Sequence, residues 1–143
     1  MSAATGPRVR RAALDIVPQR WVEIHRRAPQ VALTMLAYLE QMRVSARPAT
    51  VKALETDLRT FALFVVGHDP DLRCVAGIGR SHVEAFKFWQ RAQPGIKKAE
   101  MANATFRRRV GSIRMFFIRI IEWGWTDAPQ RVPLYFGDVP KTG

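Results

Sequence analysis

An all-α fold of four helices is predicted by three observations in this 143-residue sequence. Apolar residues recur at three- and four-residue intervals in four segments, and proline or glycine punctuates their ends. No stretch alternates with period two between hairpin turns, so no significant sheet is expected. With 48% apolar and 24% charged residues, the composition is that of a globular domain and not of a disordered chain.

The first helix is placed over Pro29–Arg43, where proline suits a first turn and Val31, Met35, Leu36, Leu39 and Met42 share a face. Pro48 interrupts, because the residue before a proline is pushed out of the helical region. The second helix spans Pro48–Val66, with Val51, Leu54, Leu58, Phe61, Ala62 and Val65 on one side and Gly67 as its C-terminal stop. A polar loop over 67–79 holds His68 and Cys74. The third helix opens at Ser81, whose hydroxyl and Glu84 form an S-x-x-E capping box, and ends before Pro94. Lys97 and Lys98 fall in the next loop. The fourth helix runs from Asn103 as N-cap to Trp123, with Gly124 as C′ residue. Upstream, Ala13, Ile16 and Val17 suggest a short helix ended by Pro18, Trp21 and Ile24 cover a core edge, and the first ten residues are expected to be disordered. The tail from Asp127, with Pro129, Pro133 and Pro140, reads as extended.

Charge narrows the function. The sequence holds 23 Lys and Arg against 12 Asp and Glu, a net +11. An excess of this size points to a polyanion, either nucleic acid or an anionic membrane surface. No apolar run reaches the roughly 18 residues of a membrane span. No secretory signal opens the chain, and a lone cysteine rules out an internal disulfide framework, so a cytoplasmic protein is expected. The excess is uneven: residues 1–28 and 103–143 each carry +4, whereas 29–80 carry only +1.

The fourth helix divides this charge cleanly. Phe106, Val110, Ile113, Phe116, Phe117, Ile120 and Ile121 occupy one arc and serve as core, while Arg107, Arg108, Gly111, Arg114 and Arg119 occupy the other. Gly111 leaves bare backbone between arginines, which a phosphate chain can approach closely. Asn103 and Thr105 at the helix start are either phosphate donors or plain N-caps. Arg109, at the margin of the core, is placed to pair with an acidic neighbour. On the second helix Lys52, Thr56 and Arg59 share a face, with Glu55 at pairing distance, so on the residues alone this is a solvated face.

Enzymatic chemistry has no sequence signature here. His25, His68, His82 and Cys74 fit no metal spacing and read as surface or loop residues, and no phosphate loop or nucleophile elbow is present. No metal or cofactor is expected.

Three stretches in order carry a family resemblance. Pro48-Ala49-Thr50-Val51 through Leu58-Arg59-Thr60-Phe61 resembles an opening helix of core-binding domains in the tyrosine recombinase (phage integrase) family, and Val75–Val83 resembles the approach to that domain's third helix. Thr105-Phe106-Arg107-Arg108-Arg109-Val110, then Ile113-Arg114-Met115-Phe116-Phe117, Glu122-Trp123-Gly124-Trp125 and Asp127-Ala128-Pro129, is similar to the family's last helix and exit. The likeness covers about residues 29–141. Leu54 stands where an aromatic is usual and Ala128-Pro129 where Asn-Pro is usual. The family's catalytic Arg, His-x-x-Arg and Tyr set has no counterpart.

The resemblance implies a four-helix, SAM-like core-binding bundle over 29–126, preceded by a basic extension over 1–28, partly disordered, and followed by a connector over 127–143 towards an absent catalytic domain. It implies that the second and fourth helices face DNA, which brings in Lys52, Thr56 and Arg59 beside Asn103, Thr105, Arg107, Arg108, Gly111 and Arg114. It further implies duplex DNA as partner, a C-terminal catalytic domain in a parent recombinase and self-association on DNA, with no strand cleavage by this chain. The rival reading is a helical protein-interaction or regulatory domain with a basic surface, whose apolar patch would be Trp21, Trp125, Tyr135 and Phe136. A helix-turn-helix repressor fits less well, because Gln93–Ala102 is long for that motif's turn.

Overall fold

The computed structural model describes residues 17–93 and 99–139, without the side chains of 99–102. Among the described residues there are five α-helices and no strands: α1 (Val22–Arg27), α2 (Pro29–Met42), α3 (Pro48–His68), α4 (Arg80–Arg91) and α5 (Ala99–Glu122). The expected disorder of the first ten residues, the helical reading of Ala13 and Ile16, and the loop at Lys97 and Lys98 lie outside the described residues.

α2 is the central helix. Its predicted apolar positions are buried, and so are the residues between them from Val31 to Leu39. A helix that is apolar all round belongs inside a core. α1 and α3 pack on it, and α3 in turn carries α4 and α5. Phe61 of α3 meets Phe86 of α4 edge-on at 5.0 Å, and Tyr38 of α2 meets Phe116 of α5 edge-on at 4.9 Å. Such pairs fix the angles of neighbouring helices beyond what burial alone does.

The segments flanking the four predicted helices join this core more fully than expected. Trp21 and Ile24 are completely buried inside it, and the Trp21 indole N–H donates to Glu55 Oε2 at 2.9 Å. Residues 17–28 are thus part of the helical body and not a separate extension. Downstream, Ala128, Val132, Leu134 and Val139 pack back against the helices, so the segment over 125–139 is a docked strap.

Helix ends differ from expectation for local reasons. Gly67 lies inside α3, which stops only where Pro70 forces Asp69 into an extended conformation. α4 begins at Arg80, ahead of Ser81, and the Ser81–Glu84 box does not form. Instead the Gly79 N–H donates to His82 Nδ1 at 3.0 Å. The opposite ring nitrogen, Nε2, therefore bears the proton and meets Asp69 Oδ2 at 2.8 Å, tying the end of α3 to the start of α4. His82 is buried, not a surface residue, and its contact holds the Asp69 carboxyl below its ordinary range. α5 begins four residues before Asn103, which is consequently interior and caps nothing. Its other end is as predicted. Gly124 takes φ +72, the Gly124 N–H donates to the Ile121 carbonyl, and the Trp125 N–H donates to that of Ile120, a Schellman stop.

Candidate nucleic-acid interface

The crossing of α3 and α5 is organised by one buried charge. Asp57 projects from the apolar side of α3 and has no exposed surface. A carboxylate there must be paired, and α5 supplies two cations. Arg108 donates from Nη2 at 2.9 Å and Nε at 3.3 Å, while Arg109 donates from Nε at 3.0 Å. Arg109 also reaches Gln90 Oε1 of α4 at 2.9 Å and is itself mostly buried. Two guanidinium groups around one carboxylate leave a surplus positive charge, and it emerges at Arg108, whose side chain remains 50% exposed. The acid expected for Arg109 is thus Asp57, shared with Arg108.

Beside Arg108 runs a groove of about 580 Å³ between α5 and the turn that joins α2 to α3. Gly111, Ser112 and Arg119 line it from α5, Ser45 from the turn and Thr50 from α3. A side chain added at Gly111 would meet nothing within 4 Å, so bare backbone does face open space there. Arg119 is turned inward: its Nη1 donates to the Tyr38 hydroxyl at 3.0 Å. Burial pushes the Tyr38 hydroxyl up, and Arg119 opposes that rise.

The remaining predicted residues divide into free and engaged. Lys52 is exposed and Arg107 partly so, and neither has a partner among the described residues. Arg59 is bound to Glu55 at 2.7 Å, and Glu55 also receives Trp21, so this arginine braces the core against α3. Arg59, Arg109 and Arg119 all pair inward and are therefore less available than their helical faces implied. Thr56 spends its hydroxyl on the Lys52 carbonyl at 3.2 Å. Asn103 is exposed and Thr105 partly exposed, both within α5, so the unpaired N–H groups of a helix start are not theirs.

Arg107 and Arg114 do lie on a common edge of α5, but the helical wheel sets it apart from the edge that carries Arg108 and Arg119. Arg114 is half-buried, its Nε lacks a hydrogen-bond partner, and its guanidinium sits 5.6 Å from the centroid of the Phe136 ring in the strap. The single arginine face read from the sequence is thus two edges separated by Gly111.

Reasoning from sequence missed Asp57, Arg47 and Ser112. An acid among Leu54, Leu58 and Phe61 on an apolar helix face was the available signal for the first. Arg47 is exposed at the N-cap of α3 and has no partner among the described residues. The apolar patch of the rival reading shrinks: Trp21 is buried and Trp125 packs on the core, which leaves Tyr135 and Phe136 exposed.

Fold and crossing together define an all-helical domain with a cationic seam where two helices meet. No protein-family model, no curated protein and no solved structure matches the chain. Among the described residues no helix is long and apolar enough to cross a membrane.

Proposed function

We propose that this chain is a duplex-DNA-binding module that seats the DNA backbone along the α3–α5 crossing and does not cut it. The observation that carries the reading is Asp57, satisfied twice over while Arg108 stays half exposed beside the bare backbone of Gly111. Unpaired Arg47 adjoins Ala46 of the groove wall, and Thr50 and Ser112 supply neutral donors within the groove, while Lys52 and Arg107, also without partners among the described residues, add positive charge on the outer faces of α3 and α5. Phosphate oxygens are the ligands such a set of spaced cations and hydroxyls suits.

The likeness of α3 and α5 to helices of tyrosine recombinase core-binding domains supports the same surface and the same partner. On this reading α2–α5 form the SAM-like four-helix unit and α1 is an addition to it. A catalytic domain in a parent recombinase and self-association on DNA belong to the proposal, as does a cytoplasmic site of action. Because the sequence has no His-x-x-Arg, cleavage is assigned elsewhere. The rival, a protein-interaction domain, retains Tyr135 and Phe136 as its apolar surface.

Titrating labelled duplex DNA with the protein at several salt concentrations tests the proposal. Binding is expected to weaken by about 0.9 log units per log unit of salt for each phosphate neutralised. Absence of binding at low salt, together with capture of an acidic protein, would favour the rival.

A further inference from the structure

The strap ends in a short 3-10 turn, Phe136–Asp138, that brings an acid and two aromatic rings to cations of the helical body. Asp138 is nearly buried. It accepts Arg80 Nη1 at 2.6 Å and Nη2 at 3.2 Å, Lys87 Nζ at 2.5 Å, and the Tyr135 backbone N–H at 2.6 Å. Arg80 also donates to Glu84 and to the Pro133 carbonyl, and its guanidinium lies 4.4 Å from the Tyr135 ring centroid. Phe136, the next residue, carries Arg114 over its ring.

The chemistry of this seat is that of an anion site. Two cationic side chains of α4 and a backbone N–H converge on a pair of carboxylate oxygens, the arrangement that also receives a phosphate. Here the anion is the chain's own. The residues that deliver it are poorly anchored: Tyr135 and Phe136 are exposed, the latter at 76%, and Gly137 adds nothing to hold. The apolar anchors at its two ends are Leu134, which is buried, and Val139, which is only partly buried against the core, so the turn can lift by releasing Val139 while Leu134 stays in place.

We propose that the Tyr135–Val139 turn is a self-docked clasp, in which Asp138 occupies an anion seat built by Arg80 and Lys87 and Phe136 shelves Arg114, and that a backbone phosphate of duplex DNA displaces it. The proposal rests on the DNA-binding function above and adds regulation to it: the free protein hides three of its cations, and DNA exposes them. Binding through a site occupied by the chain itself is weakened by the fraction of time the site is closed. Removing the clasp therefore tightens binding.

Two variants test this, beside a charge control. Asp138→Asn removes the competing anion. Phe136→Ala alters no charge and replaces an exposed ring, so it leaves the core packing intact. Asp71→Asn, at an exposed acid in the loop before α4, matches the first variant's change in net charge. Asp138→Asn is expected to tighten duplex-DNA binding by roughly tenfold relative to Asp71→Asn, with the salt slope little changed, because the same phosphates are engaged once the clasp has opened. Phe136→Ala is expected to tighten binding by about two- to fivefold, the scale of an exposed cation–π contact. Adding Arg80→Ala and Lys87→Ala to Asp138→Asn should return the affinity to that of the unaltered protein or below.

If the protein binds DNA but Asp138→Asn matches Asp71→Asn and Phe136→Ala matches the unaltered chain, the clasp is overturned and the DNA-binding function stands. If no form binds duplex DNA, that function fails, and retention on immobilised heparin judges the seat by itself. Later elution of Asp138→Asn than of Asp71→Asn, and of Phe136→Ala than of the unaltered protein, supports the seat, and coelution within both pairs overturns it.

Discussion

Asp57 shows how a residue that stabilises the fold can also set out a binding surface. Its carboxylate is buried between Arg108 and Arg109, but these two partners are not equivalent. Arg109 is mostly buried and bridges to Gln90 of α4, whereas Arg108 stays half in solvent. Losing a partner from a buried charge is costly, so Arg109→Ala should destabilise the fold by about 3 kcal/mol. Arg108→Ala, removing a half-exposed and partly screened partner, should cost about 1 kcal/mol or less. DNA affinity should respond in the opposite order, falling more for Arg108→Ala. Urea denaturation and DNA titration of the two variants check this; equal effects in both assays would deny the division of labour. The pairing of Arg109 was legible, because that position lies at the edge of the apolar arc. The pairing of Arg108 was not, since a helical wheel places residues around one axis and cannot show an acid arriving from another helix.

At the scale of the element, two glycines that look alike in sequence behave differently. Both Gly67 and Gly124 follow apolar helical runs, yet only Gly124 takes a positive φ. Gly67 is an interior helical residue with open space where a Cβ would go. Gly67→Ala should therefore raise stability by about 0.5–1 kcal/mol, while Gly124→Ala should lower it by about 1 kcal/mol or more. Thermal unfolding of both variants checks the contrast, and a shift in the same direction for both would contradict it. The sequence held the deciding signal, Pro70, which stops α3 through the residue before it. Similarly, α4 starts at Arg80 because the His82 ring nitrogen accepts the Gly79 N–H, where the Ser81–Glu84 box was expected to form the cap.

The strap is the element least legible beforehand, since three prolines suggested an extended connector and the partners of Asp138 lie more than fifty residues away. Burial raises the Asp138 carboxyl, but Arg80 and Lys87 outweigh it and hold the group well below the ordinary carboxylate range. A carboxyl depressed on folding contributes stability above its unfolded value near 4 and loses it as pH falls towards the folded value. The stability difference between the unaltered protein and Asp138→Asn should therefore be constant above about pH 5 and shrink below about pH 4. Chemical denaturation across that range checks it; a difference that persists undiminished at low pH would show that the carboxylate is not what docks the strap.

For the molecule as a whole, the helical class and most of the core followed from periodicity, because apolar spacing along α3 and α5 records which face is buried, although α2 proved buried all round. The charge of +11 is less freely presented than the composition implied. Arg59, Arg109 and Arg119 are spent on Glu55, Asp57 and Tyr38, and Arg80 and Lys87 on Asp138. What remains on α3 and α5 is Arg108 beside Gly111 at the crossing, with Arg47, Lys52 and Arg107 unpaired on the surfaces to either side, and the proposed DNA contact rests on these cations. The most direct test is the salt dependence of duplex-DNA affinity for the unaltered protein and for the Lys52→Ala, Arg107→Ala double variant. These residues pair with nothing among those described, so the fold should be unaffected while the slope of log affinity against log salt falls by about 1.8, or 0.9 for each phosphate no longer neutralised. An unchanged slope with unchanged affinity would place the DNA surface elsewhere, and no binding by the unaltered protein at low salt would contradict the account outright.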